Sequence, residues 1–168
     1  MDDRFERKGH SALRHGRLSV TGWCHLLTTV TMDRTPWFND PAVARTVSDL
    51  HRTHQLFGDA ELIAWVLMPD HWHGVLRVGV KTSLPRAMNR FKTATAVMAN
   101  RAMSRRGTLW ARAFHDHSLR DEQQIHAAIG YVIANPVRAG LCAHSAAYPY
   151  WGGDDGWIER HVNRVPTG

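Results

Sequence analysis

The amino-acid sequence predicts an α+β fold: an antiparallel, ferredoxin-like βαββαβ sheet with helices on one face, followed by a further C-terminal helix. Three observations predict it. Apolar residues recur every second position in some stretches and every three to four positions in others, in the order strand, helix, strand, strand, helix, strand, helix. The 168 residues, 43% of them hydrophobic, can bury roughly two thirds of their extended surface in one core, so folding needs neither disulfides nor a structural metal. No linker or internal repeat divides the chain.

Each element has a local reason. Residues 1–20 carry Arg4, Arg7, Lys8, Arg14 and Arg17 with little apolar periodicity and read as a basic arm; the folded domain is expected over 21–151 and a tail over 152–168. Trp23 to Met32 (WCHLLTTVTM) is rich in β-formers and reads as the first strand. Asp40-Pro41 pairs an N-cap with a proline at the first helical position, and Val43, Val47, Leu50, His54 and Phe57 follow at steps of four and three until Gly58. Glu61 to Met68 and His71 to Val80 read as two strands joined by a tight connection through Pro69-Asp70.

Ser83-Leu84-Pro85 opens a long helix whose stripe is Leu84, Met88, Phe91, Thr95, Met98 and Ala102, ending at Arg106-Gly107. Short β-like pieces are expected between Leu109 and Leu119. The last helix starts at Asp121-Glu122, acidic residues suited to a helix N-terminus, and should run to about Ala134, where Pro136 and Gly140 break it. From His144 onward no period is clear.

Composition narrows the function classes. The longest mostly apolar run, Leu62 to Met68, is far short of the ~20 residues a membrane span needs, and the N-terminus has no apolar signal core, so a soluble, cytoplasmic protein with no membrane partner is expected. Cys24 and Cys142 lack metal-ligand spacing and read as reduced core thiols. The net charge is 21 − 15 = +6, and 18 of the 21 cations are Arg. Arg suits phosphates and bases, yet a GC-rich genome favours the same codons, so charge alone leaves a polyanion partner open.

Two constellations carry chemistry. In His71-Trp72-His73 the imidazoles sit two positions apart on a strand and project from one face about 7 Å apart at their Cα atoms, a start to a divalent-metal site. With 12 histidines in the chain, close pairs such as His51/His54 and His115/His117 also arise by chance, and an isolated HxH reads equally as surface or core histidines. In the last helix Ile125, Ala128, Ile129, Val132 and Ile133 make the apolar stripe, while Tyr131 and Asn135 share its shoulder one turn apart. Taken alone, they read as a core-margin Tyr and a helix-ending Asn.

Three blocks in order resemble one family. They are WVLMPDHWH at residues 65–73, LWARAFHDHSLR at 109–120 and YVIANPVRAGL at 131–141, with HLLTTVT at 25–31 as a first strand. They look like the signature blocks of the REP-associated tyrosine transposases, domesticated relatives of the single-tyrosine HUH transposases of bacterial insertion sequences. Tyr148-Pro149-Tyr150-Trp151 resembles the family's segment after the catalytic helix, and the resemblance spans about residues 14–151.

The resemblance implies an HUH-type catalytic domain over 21–151, with His71 and His73 as the HUH pair, Tyr131 as nucleophile and Asn135 as the residue completing a Mg²⁺ or Mn²⁺ site. It implies cleavage and rejoining of single-stranded DNA at REP-type palindromic hairpins through a 5′-phosphotyrosine, by a nucleoid-associated monomer or homodimer. A phenol, with its ordinary pKa near ~10, attacks phosphorus poorly without such help. Phosphate contacts are expected from Arg14, Arg17, Arg86, Arg90, Lys92, Arg101, Arg105 and Arg120, with His117 in a structural, DNA-contact or proton-transfer role. Two rivals remain: a hairpin-DNA-binding protein that cuts nothing, and a metal-dependent RNA endonuclease using the HxH pair.

Overall fold

The computed structural model describes residues 20–53 and 55–164. Five strands form one antiparallel sheet: β1 (Cys24–Val30), β2 (Glu61–Met68), β3 (His71–Arg77), β4 (His115–Leu119) and β5 (Trp151–Gly153), in the spatial order β4-β1-β3-β2-β5. The helices are α1 (Pro41–Asp49), α2 (Leu84–Ala102), α3 (Glu122–Arg138) and α4 (Asp155–Arg164). The chain is the α+β fold expected, and the two-residue turn Pro69-Asp70 makes β2 and β3 a hairpin whose register pairs Met68 with His71.

The sheet has a core on each face. On one face Leu27, Trp65, Trp72 and Leu76 pack against Val43, Ala44 and Val47 of α1 and Leu84, Met88 and Phe91 of α2. On the other, Leu26, Ile63, Val66 and Val75 pack against Ala128, Ile129 and Val132 of α3. Helices α1 and α2 thus share one face as expected, and α3 takes the opposite one. Strand alternation follows from the pleat, and the register irregularity between Leu62 and Ala64 turns Ile63 and Ala64 together toward α3.

The first face is locked by aromatic rings around His51. Its ring stacks on Trp65 at 3.7 Å between centroids, and its Nε2 accepts the Trp72 indole N–H at 2.9 Å. An indole only donates, so His51 is neutral and directs Nδ1–H to the carbonyls of Val47 and Ser48, both 3.2 Å away. Burial pushes its pKa down to about 3. Gly74 is required beside this cluster, because a Cβ there would lie 2.1 Å from the Trp72 indole.

Several boundaries differ from the sequence reading. Helix α1, capped by Asp40 Oδ1 accepting from Ala42 N at 2.8 Å, stops at Asp49 and passes into a 3-10 turn at Leu50–Arg52 rather than reaching Phe57. Gln55 then takes a positive φ of 84°, which no helix tolerates. Helix α3 does not break at Pro136; it runs through the proline to Arg138, because its buried face continues through Val132 and Pro136. The expected tail contributes structure: β5 crosses the boundary at 151/152 and pairs with β2, and α4 packs on α3. Cys24 is buried, whereas Cys142 is partly exposed and not a core thiol; both are free. No helix among the described residues is long and apolar enough to cross a membrane. The expected basic arm, with Arg14 and Arg17, lies outside the described residues.

Candidate active site

Strand β3 is central, between β1 and β2, and its alternation sends Trp72 into the α1/α2 core while His71 and His73 project toward α3. The two imidazole rings stand 4.8 Å apart, edge to face. The Tyr131 ring of α3 then meets His73 at 5.4 Å, again edge to face. Two histidines of β3 and a tyrosine of α3, distant in sequence, thus form one continuous run of rings on a single face of the sheet.

Each histidine is oriented by a residue that sequence reasoning did not single out. His71 Nδ1 lies 2.5 Å from Asp70 Oδ1, and His73 Nδ1 lies 2.7 Å from Thr28 Oγ1, the residue opposite it on β1. Burial lowers the His71 pKa and outweighs the neighbouring Asp70 carboxylate, which raises it. Burial, then the charges of His71, Arg34 and Arg138, push His73 down to about 3. Asp70 is itself held below its ordinary value: burial works to raise it, and the His71 hydrogen bond and charge prevail. Both imidazoles are therefore neutral at physiological pH. The Asp70 carboxylate only accepts, so His71 carries its proton on Nδ1 and presents the Nε2 lone pair; in the tautomer in which Nδ1–H donates to Thr28, His73 presents Nε2 in the same way, the arrangement in which histidine ligates metal.

This donor set fits a divalent cation: two neutral imidazoles held from behind are suited to Mn²⁺ or Mg²⁺ and do not strongly select zinc. No group of three or more His, Cys, Asp or Glu side chains that could hold a metal exists among the described residues. Asn135 lies one turn beyond Tyr131, and its Nδ2 donates to the Tyr131 carbonyl at 3.3 Å. The structure brings His71, His73 and Tyr131 together by ring contact, while Asn135 bonds within its own helix.

Two cations flank the site. Arg34 Nη1 reaches Asp70 Oδ2 at 3.4 Å from a strained turn in which Asp33 and Arg34 both have φ near 55°. The Arg138 guanidinium lies 4.9 Å from the centre of the Tyr131 ring. Sequence reasoning quoted Arg138 within a motif without assigning it a role; its place at i+7 from Tyr131 was a signal available only once α3 was known to continue past Pro136.

The residues expected to contact DNA are dispersed. Arg86, Arg90, Arg101 and Arg105 lie on or just beyond α2, across the sheet from Tyr131. Arg86 and Arg101 are exposed, Arg90 donates to the Gln55 carbonyl, and Arg105 stacks on Trp37 and bonds Asn100. Lys92 Nζ donates to the carbonyls of Ala111, Arg112 and Ala113 at 2.7, 3.2 and 3.0 Å, a tie holding the chain before β4. On β4 the register turns His115 and His117 to the same face as His73, with His115 and His73 flanking Thr28. Asp116 points the other way, 3.7 Å from His25. Arg120 is exposed just after β4. Tyr148 is a structural anchor whose hydroxyl donates to the Leu67 carbonyl at 2.7 Å.

Comparison with known proteins bears on this geometry. The family described as IS200-like transposases matches residues 20–135, which takes in β1, both histidines, Tyr131 and Asn135. A Haemophilus influenzae protein named as a REP-associated tyrosine transposase is 24% identical over 141 residues, covering 77% of this chain and 78% of its own length. A solved REP-associated tyrosine transposase bound to a REP hairpin superposes with a TM-score of 0.64 at 17% identity, over 89% of this chain and 85% of that one. A Deinococcus radiodurans chain described as a transposase has a TM-score of 0.45 at 23% identity, over 71% of this chain and 95% of that one.

Proposed function

The chain belongs to the IS200-like transposase family, and from that footing we propose that it cuts and rejoins single-stranded DNA at REP-type palindromic hairpins through a covalent 5′-phosphotyrosine at Tyr131. The observation that carries this reading is the unbroken run of rings His71, His73 and Tyr131 on one sheet face. It sets a nucleophilic phenol beside two neutral, back-bonded imidazoles able to hold a cation.

His71, His73 and Asn135 would hold Mg²⁺ or Mn²⁺, which when bound supplies a Lewis acid for a non-bridging oxygen of the scissile phosphate. Asp70 keeps the His71 imidazole in the ligating tautomer, and Thr28 fixes the orientation of the His73 ring. The Tyr131 ring, held against His73, sets the direction from which Oη approaches phosphorus. As the Oη–P bond forms, the P–O3′ bond breaks; the phenol proton leaves to solvent and the departing 3′-oxygen takes a proton from water. The energy of the broken ester is kept in the phosphotyrosine, so a 3′-OH can reverse the step and join strands without ATP. A hairpin partner is supported by the solved relative bound to a REP hairpin. Exposed Arg120, with His115 and His117 on the face of β4 shared with the site, supports a strand running along that edge.

The deciding experiment incubates the protein with Mn²⁺ or Mg²⁺ and single-stranded oligonucleotides from palindromic repeats of its own genome, then resolves the products on a denaturing gel. A protein–DNA adduct that disappears with Tyr131→Phe or EDTA is expected. Cleavage without an adduct, or an adduct that persists in Tyr131→Phe, would overturn the mechanism. Tight binding with no cleavage would favour a hairpin-binding protein.

A further inference from the structure

We propose that Arg138 grips the scissile phosphate against Tyr131, acting on a non-bridging oxygen before attack and on the phosphotyrosine afterwards. The proposal rests on Tyr131 being the nucleophile and adds a second protein contact to the reacting phosphate.

Tyr131, Asn135 and Arg138 stand at i, i+4 and i+7 and so occupy one stripe of α3. Reaching Arg138 has a cost. The helix continues through Pro136, which lacks an N–H and forfeits the bond to the Val132 carbonyl, and it closes only afterwards, with Ala139 N–H on the Asn135 carbonyl at 2.9 Å. Had the chain left the helix at Pro136, as prolines ordinarily dictate, position 138 would not lie two turns above Tyr131.

The side chain's direction brings its charge to the phenol. A cation in a last helical turn ordinarily serves the terminal carbonyls. Here the guanidinium turns back toward the helix N-terminus and lies over the phenol ring, with Cζ 4.9 Å from its centre. Its charge also reaches His73 on β3. Its charge therefore lies beside the ring that carries Oη and within reach of His73, close to where a phosphate joined to Oη would sit. Arg34, the cation at the other end of the site, is directed to the Asp70 carboxylate. A planar guanidinium can give two parallel N–H donors to a phosphate, and a short rotation of its terminal torsions moves those donors from the ring face to an oxygen at the ring edge.

The test removes the charge from both sides of the contact. In a Tyr131→Phe background, which keeps the ring and prevents cleavage, affinity is measured for palindromic hairpin oligonucleotides with single-stranded flanks, each carrying one neutral methylphosphonate moved along the flank. With Arg138 present, one position should weaken binding by about tenfold, the size of one charge-assisted hydrogen bond. With Arg138→Gln that penalty should vanish while the penalties at other positions remain, and Arg138→Lys should restore part of it. The same penalty at every position whether Arg138 is kept or replaced by Gln would overturn the proposal. Adduct formation by the wild-type protein, assayed in parallel, reports separately on the nucleophile: its absence overturns the role of Tyr131 even where the methylphosphonate pattern holds.

Discussion

Thr28 fixes His73 through a single hydroxyl, and that hydroxyl is the cheapest place to disturb the site without touching a ligand. Thr28→Val keeps the shape of a β-branched residue and removes the oxygen, freeing the imidazole to change tautomer. Mn²⁺ affinity, followed by calorimetry, should fall about tenfold with little change in melting temperature; unchanged affinity would mean that the bond does not orient a metal ligand. Asp70→Asn should act in the same direction through His71. The histidine pair was legible in the sequence because a two-residue spacing on a strand has only one geometric outcome. Thr28 and Asp70 were less so. Thr28 faces His73 only through the register of β1 with β3, a long-range pairing that no local pattern encodes.

Among the elements, α2 carries a cation with a task inside the fold: Lys92 caps three carbonyls of the chain leading into β4. Lys92→Met should lower stability by roughly 1–3 kcal/mol in urea unfolding, since those carbonyls lose their donor, and should leave hairpin affinity within about twofold. A large loss of affinity with unchanged stability would reverse this assignment. Helix α3 and the C-terminal segment show where local signals fail. Pro136 and Gly152-Gly153 are turn-formers by composition, but tertiary burial carries α3 through the proline, and pairing with β2 makes a strand of the glycines. The βαββαβ order itself was legible because α1 and α2 each bury one regular stripe, and the hairpin strands β2 and β3 are short runs of apolar residues bounded by turn signals. Strand β4, exposed or half-exposed along most of its length, left only a weak β-like signal.

For the molecule as a whole, buried neutral imidazoles tie stability to pH. His51 and His73 titrate near 6.5 in an unfolded chain but only at about 3 in the native fold. Above 6.5 neither state is protonated; between 6.5 and 3 the unfolded chain binds protons that the native state does not, so stability falls as pH drops through that window. The slope should approach about 1.4 kcal/mol per pH unit for each imidazole. Urea midpoints at pH 7.5, 6 and 5 check this, and a flat profile would refute it. His51→Phe should flatten the slope and cost about 1–3 kcal/mol at neutral pH by stranding the Trp72 indole N–H.

Trp72, set between the two histidines and pointing away from them into the opposite core, gives the site an unusual exchange behaviour. Because β3 is paired on both sides and pinned beneath by that indole, its amides at 71–73 have no local route to deuterium and should exchange only when the entire domain opens. The three-residue β5 and α4, at the sheet's margin, should label earlier. The histidine pair is then mounted on a strand held from both sides and beneath, and an isotope-labelling time course should find it among the last backbone to yield.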